Sequence, residues 1–248
     1  MPCDGVFRIL IADDHHIVLL GLRTLLQSHD KWEVCGEATD GRQTVEKCKQ
    51  LKPDLVILDI CMPKLNGLDA ARQILQYDSD QRIMILTNVE SEQVIRDCLQ
   101  AGIRSFVLKS DATADIVLAA EALQHGRTFF TSCVAELVLS GYQNSYVAPG
   151  AADVPRLSPR EREVVQLISE GKTNKEVASI LDVSAKTAET HRTNVLRKLR
   201  LHSIAELVLY AVRNNIVHAQ LPAPSLTNVK PACLDTAGFF QSGRQAFN

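Results

Sequence analysis

The sequence has no long apolar run, no paired cysteines and no internal repeat, and each absence narrows the class of protein. No apolar stretch approaches the ~20 residues needed to cross a bilayer, which argues against a membrane protein. The seven cysteines (3, 35, 48, 61, 98, 133 and 233) include no Cys-x-x-Cys pair. We therefore expect reduced thiols that pack as small apolar side chains, not disulfides or metal ligands. The apolar segment before position 13 is too short for a signal peptide, so we expect a cytoplasmic protein.

The chain also has almost no net charge, −2 over 248 residues, but its charge is unevenly distributed. Residues 1–140 contain 14 Lys and Arg against 20 Asp and Glu, whereas residues 156–217 contain 11 against 7. An acidic half followed by a basic half indicates two tasks, with nucleic acid the expected partner of the second. The apolar fraction of 46% and the charged fraction of 23% are typical of a globular protein.

The first 125 residues alternate between short apolar runs and segments with helical periodicity. Such alternation predicts a doubly wound, five-stranded parallel sheet of the flavodoxin-like kind with right-handed crossovers. The expected strands are 7–12, 33–38, 55–59, 82–87 and 105–108, and the expected helices are 17–28, 41–51, 67–77, 91–101 and 112–125. Residues 126–140 either extend the last helix or begin a linker.

The second half is predicted to be a small all-α domain of four helices, at 159–170, 174–181, 185–200 and 203–213. Ser158 is placed to cap the first of these, with Glu161 closing a capping box. The segment before it is rich in Gly, Ser, Asn and Pro, which is typical of a flexible connector. The predicted domains are 6–126, a helix extension and linker over 127–154, a helical domain over 155–217, and a disordered tail over 218–248.

Carboxylates follow two of the predicted strands. Asp13 and Asp14 follow the first strand, and Asp59 follows the run Leu55–Leu58. Ligands of parallel sheets bind beyond the carboxyl ends of the strands, so the three acids should meet at one edge. Crowded carboxylates cost stability unless a cation joins them, which predicts a divalent-metal site containing a reactive carboxylate. Thr87 and Lys109, at the ends of two further strands, would hold a phosphoryl group there.

These residues resemble the receiver domain of response regulators, on the strength of Asp13-Asp14, the run LVILDICMPKLNGLDA, Thr87 and Lys109. The resemblance implies that Asp59 accepts a phosphoryl group from a histidine kinase. It also implies that Mg²⁺ is held by Asp14, Asp59 and the Cys61 backbone carbonyl, with Asp13 acting through a water. Thr87 and Phe106 would form the switch pair. Cys61 and Asn88 depart from the family's usual residues and are expected to affect the lifetime of the acyl phosphate.

The basic half contains a helix-turn-helix spacing, because Leu181-Asp182-Val183-Ser184 joins two predicted helices. On the second of these, a buried stripe is expected at Ala188, His191, Val195 and Leu199. The opposite face would lie in the major groove of DNA.

The stretch LSPREREVVQLISEGKTNKEVASILDVSAKTAETHRTNVLRKL resembles LuxR-type (NarL/FixJ) DNA-binding domains. The resemblance implies that Glu189, Thr190 and Thr193 contact bases. Phosphate contacts are assigned to Lys186, Arg192, Arg197 and Lys198. The stripe formed by Ala205, Val208, Leu209 and Val212 on the last helix corresponds to the family's dimerisation surface.

We interpret the chain as a phosphorylation-dependent transcriptional regulator of a two-component system, homodimeric when phosphorylated. Its expected partners are a histidine kinase and double-stranded DNA, with RNA polymerase a further candidate, and no membrane partner or enzymatic activity on other substrates is expected. One alternative is a DNA-binding regulator that ignores phosphate and uses the receiver as a dimerisation module. A second is an aspartyl-phosphate hydrolase, which would need an acid two residues after Asp59, where this chain has Cys61.

Overall fold

A computed structural model of the chain describes residues 5–88, 91–110, 113–131, 134–136 and 157–217. The N-terminal part contains a parallel sheet with strand order β2-β1-β3-β4-β5-β6. The strands are β1 (Phe7–Ala12), β2 (Trp32–Ala38), β3 (Leu55–Leu58), β4 (Arg82–Thr87), β5 (Ser105–Leu108) and β6 (Phe129–Phe130).

Helices alternate with the strands and cover both faces of the sheet. They are α1 (His16–Gln27), α2 (Gly41–Leu51), α3 (Gly67–Tyr77), α4 (Glu92–Gln100) and α5 (Thr113–Gln124). The central strand β3 has all four side chains buried, two in the core beneath α2, α3 and α4 and two in the core beneath α1 and α5. Apolar residues without polar alternation are what a strand covered on both faces requires.

The C-terminal part contains four helices, α6 (Pro159–Ser169), α7 (Asn174–Leu181), α8 (Ala185–Leu199) and α9 (Ile204–Arg213). Ser158 caps α6 and Glu161 completes a capping box, as the sequence predicts. Ser184 caps α8 by accepting a hydrogen bond from the Thr187 amide. Asp182 takes a left-handed conformation (φ 52°) at the end of α7 and turns the chain toward α8.

The predicted fold class is confirmed, and the helix and strand bounds differ from the prediction by at most one residue at each end. The sheet differs in having a sixth strand. Phe129-Phe130 pairs in parallel with Ser105 and Phe106 at the sheet edge, where the sequence suggests a helix extension or a linker. A two-residue strand is too short to show the periodicity by which strands are predicted.

Other predictions fall outside the described residues. These are the part of the predicted helix extension and linker from 137 to 154, and the predicted tail over 218–248. Across the part of the chain that the structure describes, every helix is too short or too polar to cross a bilayer.

Candidate functional site

The predicted acidic site forms where the topology reverses direction. β1 and β3 are neighbours in the sheet, with β2 beyond one and β4 beyond the other, so residues after β1 and β3 flank a switch point. The backbone N–H of Asp59 donates to the Ala12 carbonyl at 2.9 Å, and that of Asp13 donates to Ala38 at 3.1 Å. Parallel pairing of the strands thus places both carboxylates at one edge of the sheet.

Lys109 follows β5 and bridges the two buried carboxylates. Its Nζ lies 2.6 Å from Asp13 Oδ2 and 3.0 Å from Asp59 Oδ2. Burial disfavours the charged ammonium, but the Asp59 and Asp13 carboxylates outweigh it and raise the pKa of Lys109. Lys109 therefore stays protonated and neutralises part of the charge of two acids that are 1% and 2% exposed.

Opposing effects act on the Asp59 carboxylate. Burial raises the pKa of its carboxyl, and the neighbouring Asp13 raises it further, while Lys109 and the Thr87 hydroxyl lower it. One carboxylate oxygen, Oδ1, is buried without a hydrogen-bond partner. Buried polar atoms are rarely left unsatisfied, and each such atom calls for an explanation. A cation or a transferred group bound at this oxygen would supply the missing interaction.

Asp14 and His15 complete the acidic edge. His15 Nδ1 lies 2.8 Å from Asp14 Oδ1 and 3.2 Å from Asp13 Oδ1. Ligand atoms of the three residues all lie within 4.8 Å of one another. His15 is not among the predicted site residues, and the structure adds it to the acidic edge. The signal that points to it is its position directly after the acidic pair.

The loop after Asp59 is packed tightly against it. The Gly67 N–H donates to the Ile60 carbonyl at 2.9 Å, and a Cβ at Gly67 would meet the Asp59 carbonyl oxygen at 1.9 Å. Only glycine allows this approach. Cys61 lies in the loop with its side chain partly buried, and burial, together with the charge of Asp59, raises the pKa of its thiol to about 12. The thiol is therefore protonated at neutral pH.

The two predicted switch residues lie on neighbouring strands. Thr87 ends β4 and is fully buried, and Phe106 on β5 is 1% exposed and pairs with Ile85. Phe106 is thus a core residue in this conformation. Thr87 hydrogen-bonds with Asp59 and with Cys61, which joins it to the acidic site.

The predicted DNA-contacting residues all lie on α8, and most of them face solvent. Lys186, Glu189, Thr190, Thr193 and Arg197 are exposed, whereas Arg192 and Lys198 are partly buried. Lys198 Nζ is 2.7 Å from Glu161 Oε2 on α6, an ion pair that no pattern in the sequence indicates. Of the predicted buried stripe, Ala188 and Val195 are buried, while His191 and Leu199 are only partly so.

A further set of contacts, between α6 and the N-terminal part, was also not predicted. Arg162 donates from Nε to both carboxylate oxygens of Asp69 at 3.0 and 3.1 Å. The Glu163 carboxylate accepts from Arg42 at 2.6 Å and from Gln73 at 2.7 Å. Charged residues on a short amphipathic helix look like a solvated face in sequence, so no local pattern indicates such pairs.

Family comparisons agree with this architecture. Residues 9–121 match the model of the response regulator receiver domain, and residues 155–211 match that of bacterial regulatory proteins of the luxR family. Among curated relatives, transcriptional regulatory protein LiaR of Bacillus subtilis is 36% identical over 213 residues, covering 86% of this chain and all of LiaR. Oxygen regulatory protein NreC of Staphylococcus carnosus is 35% identical over 85% of this chain and 99% of its own.

Solved structures of RcsB response regulators are similar along most of the chain. RcsB of Salmonella typhimurium is 29% identical with a TM-score of 0.53, covering 84% of this chain and 99% of its own. RcsB of Salmonella enterica serovar Typhimurium, bound to promoter rprA in the presence of phosphomimetic BeF3⁻, is 29% identical with a TM-score of 0.52. The match covers 82% of this chain and 97% of the RcsB chain. The chain belongs to the NarL/FixJ family of two-component response regulators, transcriptional regulators with a receiver domain and a LuxR-type helix-turn-helix domain.

Proposed function

We propose that Asp59 is the phosphoacceptor of this regulator and that its phosphorylation controls DNA binding by α8. The observation that supports this most is the buried Asp59 Oδ1, which has no hydrogen-bond partner beside a fixed Lys109 ammonium. A carboxylate so placed has one oxygen free to attack a phosphoryl group of a histidine kinase. Lys109 and Thr87 are positioned to stabilise the oxygens of the transferred group.

The acidic edge also fits a divalent cation. Carboxylate oxygens of Asp13 and Asp14 lie within 4.8 Å of each other, and Asp13 shares the Lys109 ammonium with Asp59. Oxygen donors are those that Mg²⁺ prefers. We assign Asp14, Asp59 and the Cys61 backbone carbonyl as direct ligands, with Asp13 acting through a water. Mg²⁺ bound there would neutralise the charge that develops on the phosphoryl oxygens. Receiver domains generally bind Mg²⁺ at an acidic site of this kind.

Phosphorylation would act through the switch pair. An aspartyl phosphate adds up to about two negative charges at Asp59, which draws the Thr87 hydroxyl inward. We assign Phe106 to fill the space that Thr87 leaves. The change of surface then favours a homodimer, since a ligand or modification shifts an equilibrium toward the state that accommodates it better.

The DNA-binding role is assigned to the exposed face of α8. Glu189, Thr190 and Thr193 would contact base edges, and Lys186, Arg192, Arg197 and Lys198 would contact phosphates. On α9, Leu209 is 56% exposed and Val212 is 37% exposed, while Leu207 and Ala211 pack into the domain. The exposed stripe suits a dimer contact between two such domains, which would place two α8 helices on half-sites about one DNA turn apart. We infer a cytoplasmic location, because DNA is the partner assigned to α8.

Two alternative functions are less well supported. A regulator that ignores phosphate would have no need of a buried carboxylate with an unsatisfied oxygen next to a lysine. An aspartyl-phosphate hydrolase needs a general acid two residues after the nucleophile, and Cys61 occupies that position with a raised pKa for its thiol.

The test is to treat wild type and Asp59→Asn with acetyl phosphate and Mg²⁺ and to measure three quantities. Mass spectrometry should detect one acyl phosphate in wild type and none in the variant. Sedimentation should show dimers, and DNA selection should recover two-fold symmetric sites, for treated wild type only. An unmodified wild type would favour the phosphate-independent regulator. Dimerisation and DNA binding by treated Asp59→Asn would contradict the proposal.

A further inference from the structure

The loop between Asp59 and α3 is held by side chains from the other domain. Gln166 on α6 donates from Nε2 to the Met62 carbonyl at 3.0 Å, and its Oε1 accepts from the backbone N–H of Asn66 at 2.8 Å. Glu170, one turn further along, accepts from the Lys64 amide at 3.1 Å. Three backbone groups of one short loop are therefore bound by two residues of α6.

The two bonds of Gln166 to the loop are buried, whereas the bond of Glu170 to Lys64 is partly buried. Gln166 is 2% exposed, and in the loop Met62 is 3% and Asn66 is 3% exposed. Gln166 Nε2 also donates to Glu170 Oε1 at 2.8 Å, so the two side chains fix each other. Backbone groups buried in this way depend on their partners, because an unpaired buried donor or acceptor is costly.

The same loop contains the backbone carbonyl that we assigned to Mg²⁺. Cys61 lies directly before Met62, and the loop closes beside Asp59 because the Gly67 N–H donates to the Ile60 carbonyl. The Cys61 and Met62 carbonyls belong to peptide groups joined at the Met62 Cα, so a contact that fixes the Met62 carbonyl also restricts the Cys61 carbonyl.

We propose that Gln166 and Glu170, on the first helix of the DNA-binding domain, are positioning residues of the phosphorylation site. They hold the 61–66 loop in the conformation that accepts Mg²⁺, so domain docking and occupancy of the acidic site strengthen each other. This inference rests on the proposed function. Reciprocity is required by thermodynamics, since a contact that raises cation affinity is itself stabilised by the cation to the same extent.

The matched variants are Gln166→Met and Gln73→Met in the full chain. Both remove a glutamine amide from the same interface and keep a side chain of similar size. Gln166 bonds the loop, whereas the side chain of Gln73 bonds, among the described residues, Glu163 alone, at 2.7 Å. A loss of interface strength alone would affect both variants, and a loss of loop positioning would affect Gln166→Met only.

Mg²⁺ affinity is measured by NMR titration of the Asp59 and Gly67 amides. We expect Gln166→Met to bind Mg²⁺ about fivefold more weakly than wild type, because it loses the hydrogen bonds to the Met62 carbonyl and the Asn66 backbone N–H. Gln73→Met should bind Mg²⁺ within about twofold of wild type. Glu170→Gln, which keeps an acceptor oxygen but removes its charge, should give a smaller loss in the same direction. It also serves as the test if Gln166→Met does not fold.

Three outcomes are distinguishable. Wild-type affinity in both loop variants would overturn the positioning role, as would an equal loss in Gln73→Met. A wild-type protein with no detectable Mg²⁺ response would instead contradict the proposed function, whatever the variants do.

Discussion

At the scale of single residues, the acidic site costs stability in the metal-free protein. Burial and Asp13 raise the pKa of Asp59, so the folded state disfavours its charged form. A carboxyl whose folded pKa is raised contributes stability at low pH and loses that contribution as the pH rises through the folded pKa. Ionised Asp59 therefore lowers the free energy of unfolding at neutral pH.

Asp59→Asn should accordingly raise the free energy of unfolding at pH 7 by on the order of 1 kcal/mol without Mg²⁺. The gain should shrink as the pH falls through the raised pKa, because wild-type Asp59 then becomes neutral. It should also shrink in Mg²⁺, which binds wild type only in the folded state. Urea unfolding as a function of pH measures the difference.

Lys109→Met provides the opposite control. It keeps the length of the side chain but leaves Asp13 and Asp59 without their shared cation, so it should destabilise the metal-free protein by about 3 kcal/mol. If Asp59→Asn were destabilising and Lys109→Met had no effect, Asp13 and Asp59 would not repel each other appreciably. The conclusion that the metal-free site costs stability would then be wrong.

At the scale of elements, local signals in the sequence account for most of the fold. The apolar run before Asp59 is long enough to show a buried strand, and Ser158 and Ser184 mark helix starts that the structure confirms. The strand Phe129–Phe130 could not be predicted because two residues are too few to show the alternation that identifies a strand. Its pairing with Ser105 and Phe106 depends on the tertiary structure.

Some parts of the candidate site could likewise be predicted from the sequence, and others could not. Asp13, Asp59, Thr87 and Lys109 could be placed together from sequence because each ends or follows a strand of one parallel sheet. The bond from Gln166 to Met62 could not, because it joins residues 104 positions apart on different domains. Such contacts depend on docking geometry, which no local pattern specifies.

Two adjacent residues of α8 illustrate how an element's face decides a residue's role. Arg197 is exposed and its nearest partner is Asn194 on its own helix, whereas Lys198 is bound to Glu161 on α6. Burial alone would raise the pKa of Glu161, but hydrogen bonds from Lys198 and Ser158 lower it overall. The Lys198 pair therefore contributes stability that is present at neutral pH and lost in acid.

Arg197→Ala should weaken DNA binding uniformly across sequences and reduce the slope of log affinity against log salt by about one, with little effect on unfolding. Lys198→Ala should destabilise the domain by about 0.5 kcal/mol at neutral pH and change the salt slope less. Fluorescence anisotropy at several salt concentrations and thermal unfolding separate the two effects. Equal salt slopes for both variants would show that Lys198 leaves Glu161 to contact DNA.

At the scale of the whole molecule, the two domains are docked through α6 while α8 stays open. Arg162, Glu163 and Gln166 contact the receiver. On α8, the side chains of Lys186 and Glu189 are 84% and 55% exposed. The docked arrangement therefore leaves the DNA-reading face accessible. Under the proposed function, control by phosphate would therefore act through the 61–66 loop and a dimer, not by uncovering α8.

Weakening the docking should consequently leave intrinsic DNA affinity unchanged. Arg162→Ala removes the bifurcated hydrogen bond from Arg162 Nε to Asp69. Asp69 keeps Arg72 as a partner at 2.8 Å and so is not left without a cation. We expect this variant to bind a single half-site within about twofold of wild type, measured by anisotropy on a short duplex without phosphorylation. If the receiver covered the reading face, loosening the interface would instead raise half-site affinity several-fold. A gain of that size would mean that the docked receiver keeps α8 away from DNA. Phosphorylation of Asp59 would then control DNA binding by changing the access of α8 to the major groove, and not through the loop beside Asp59.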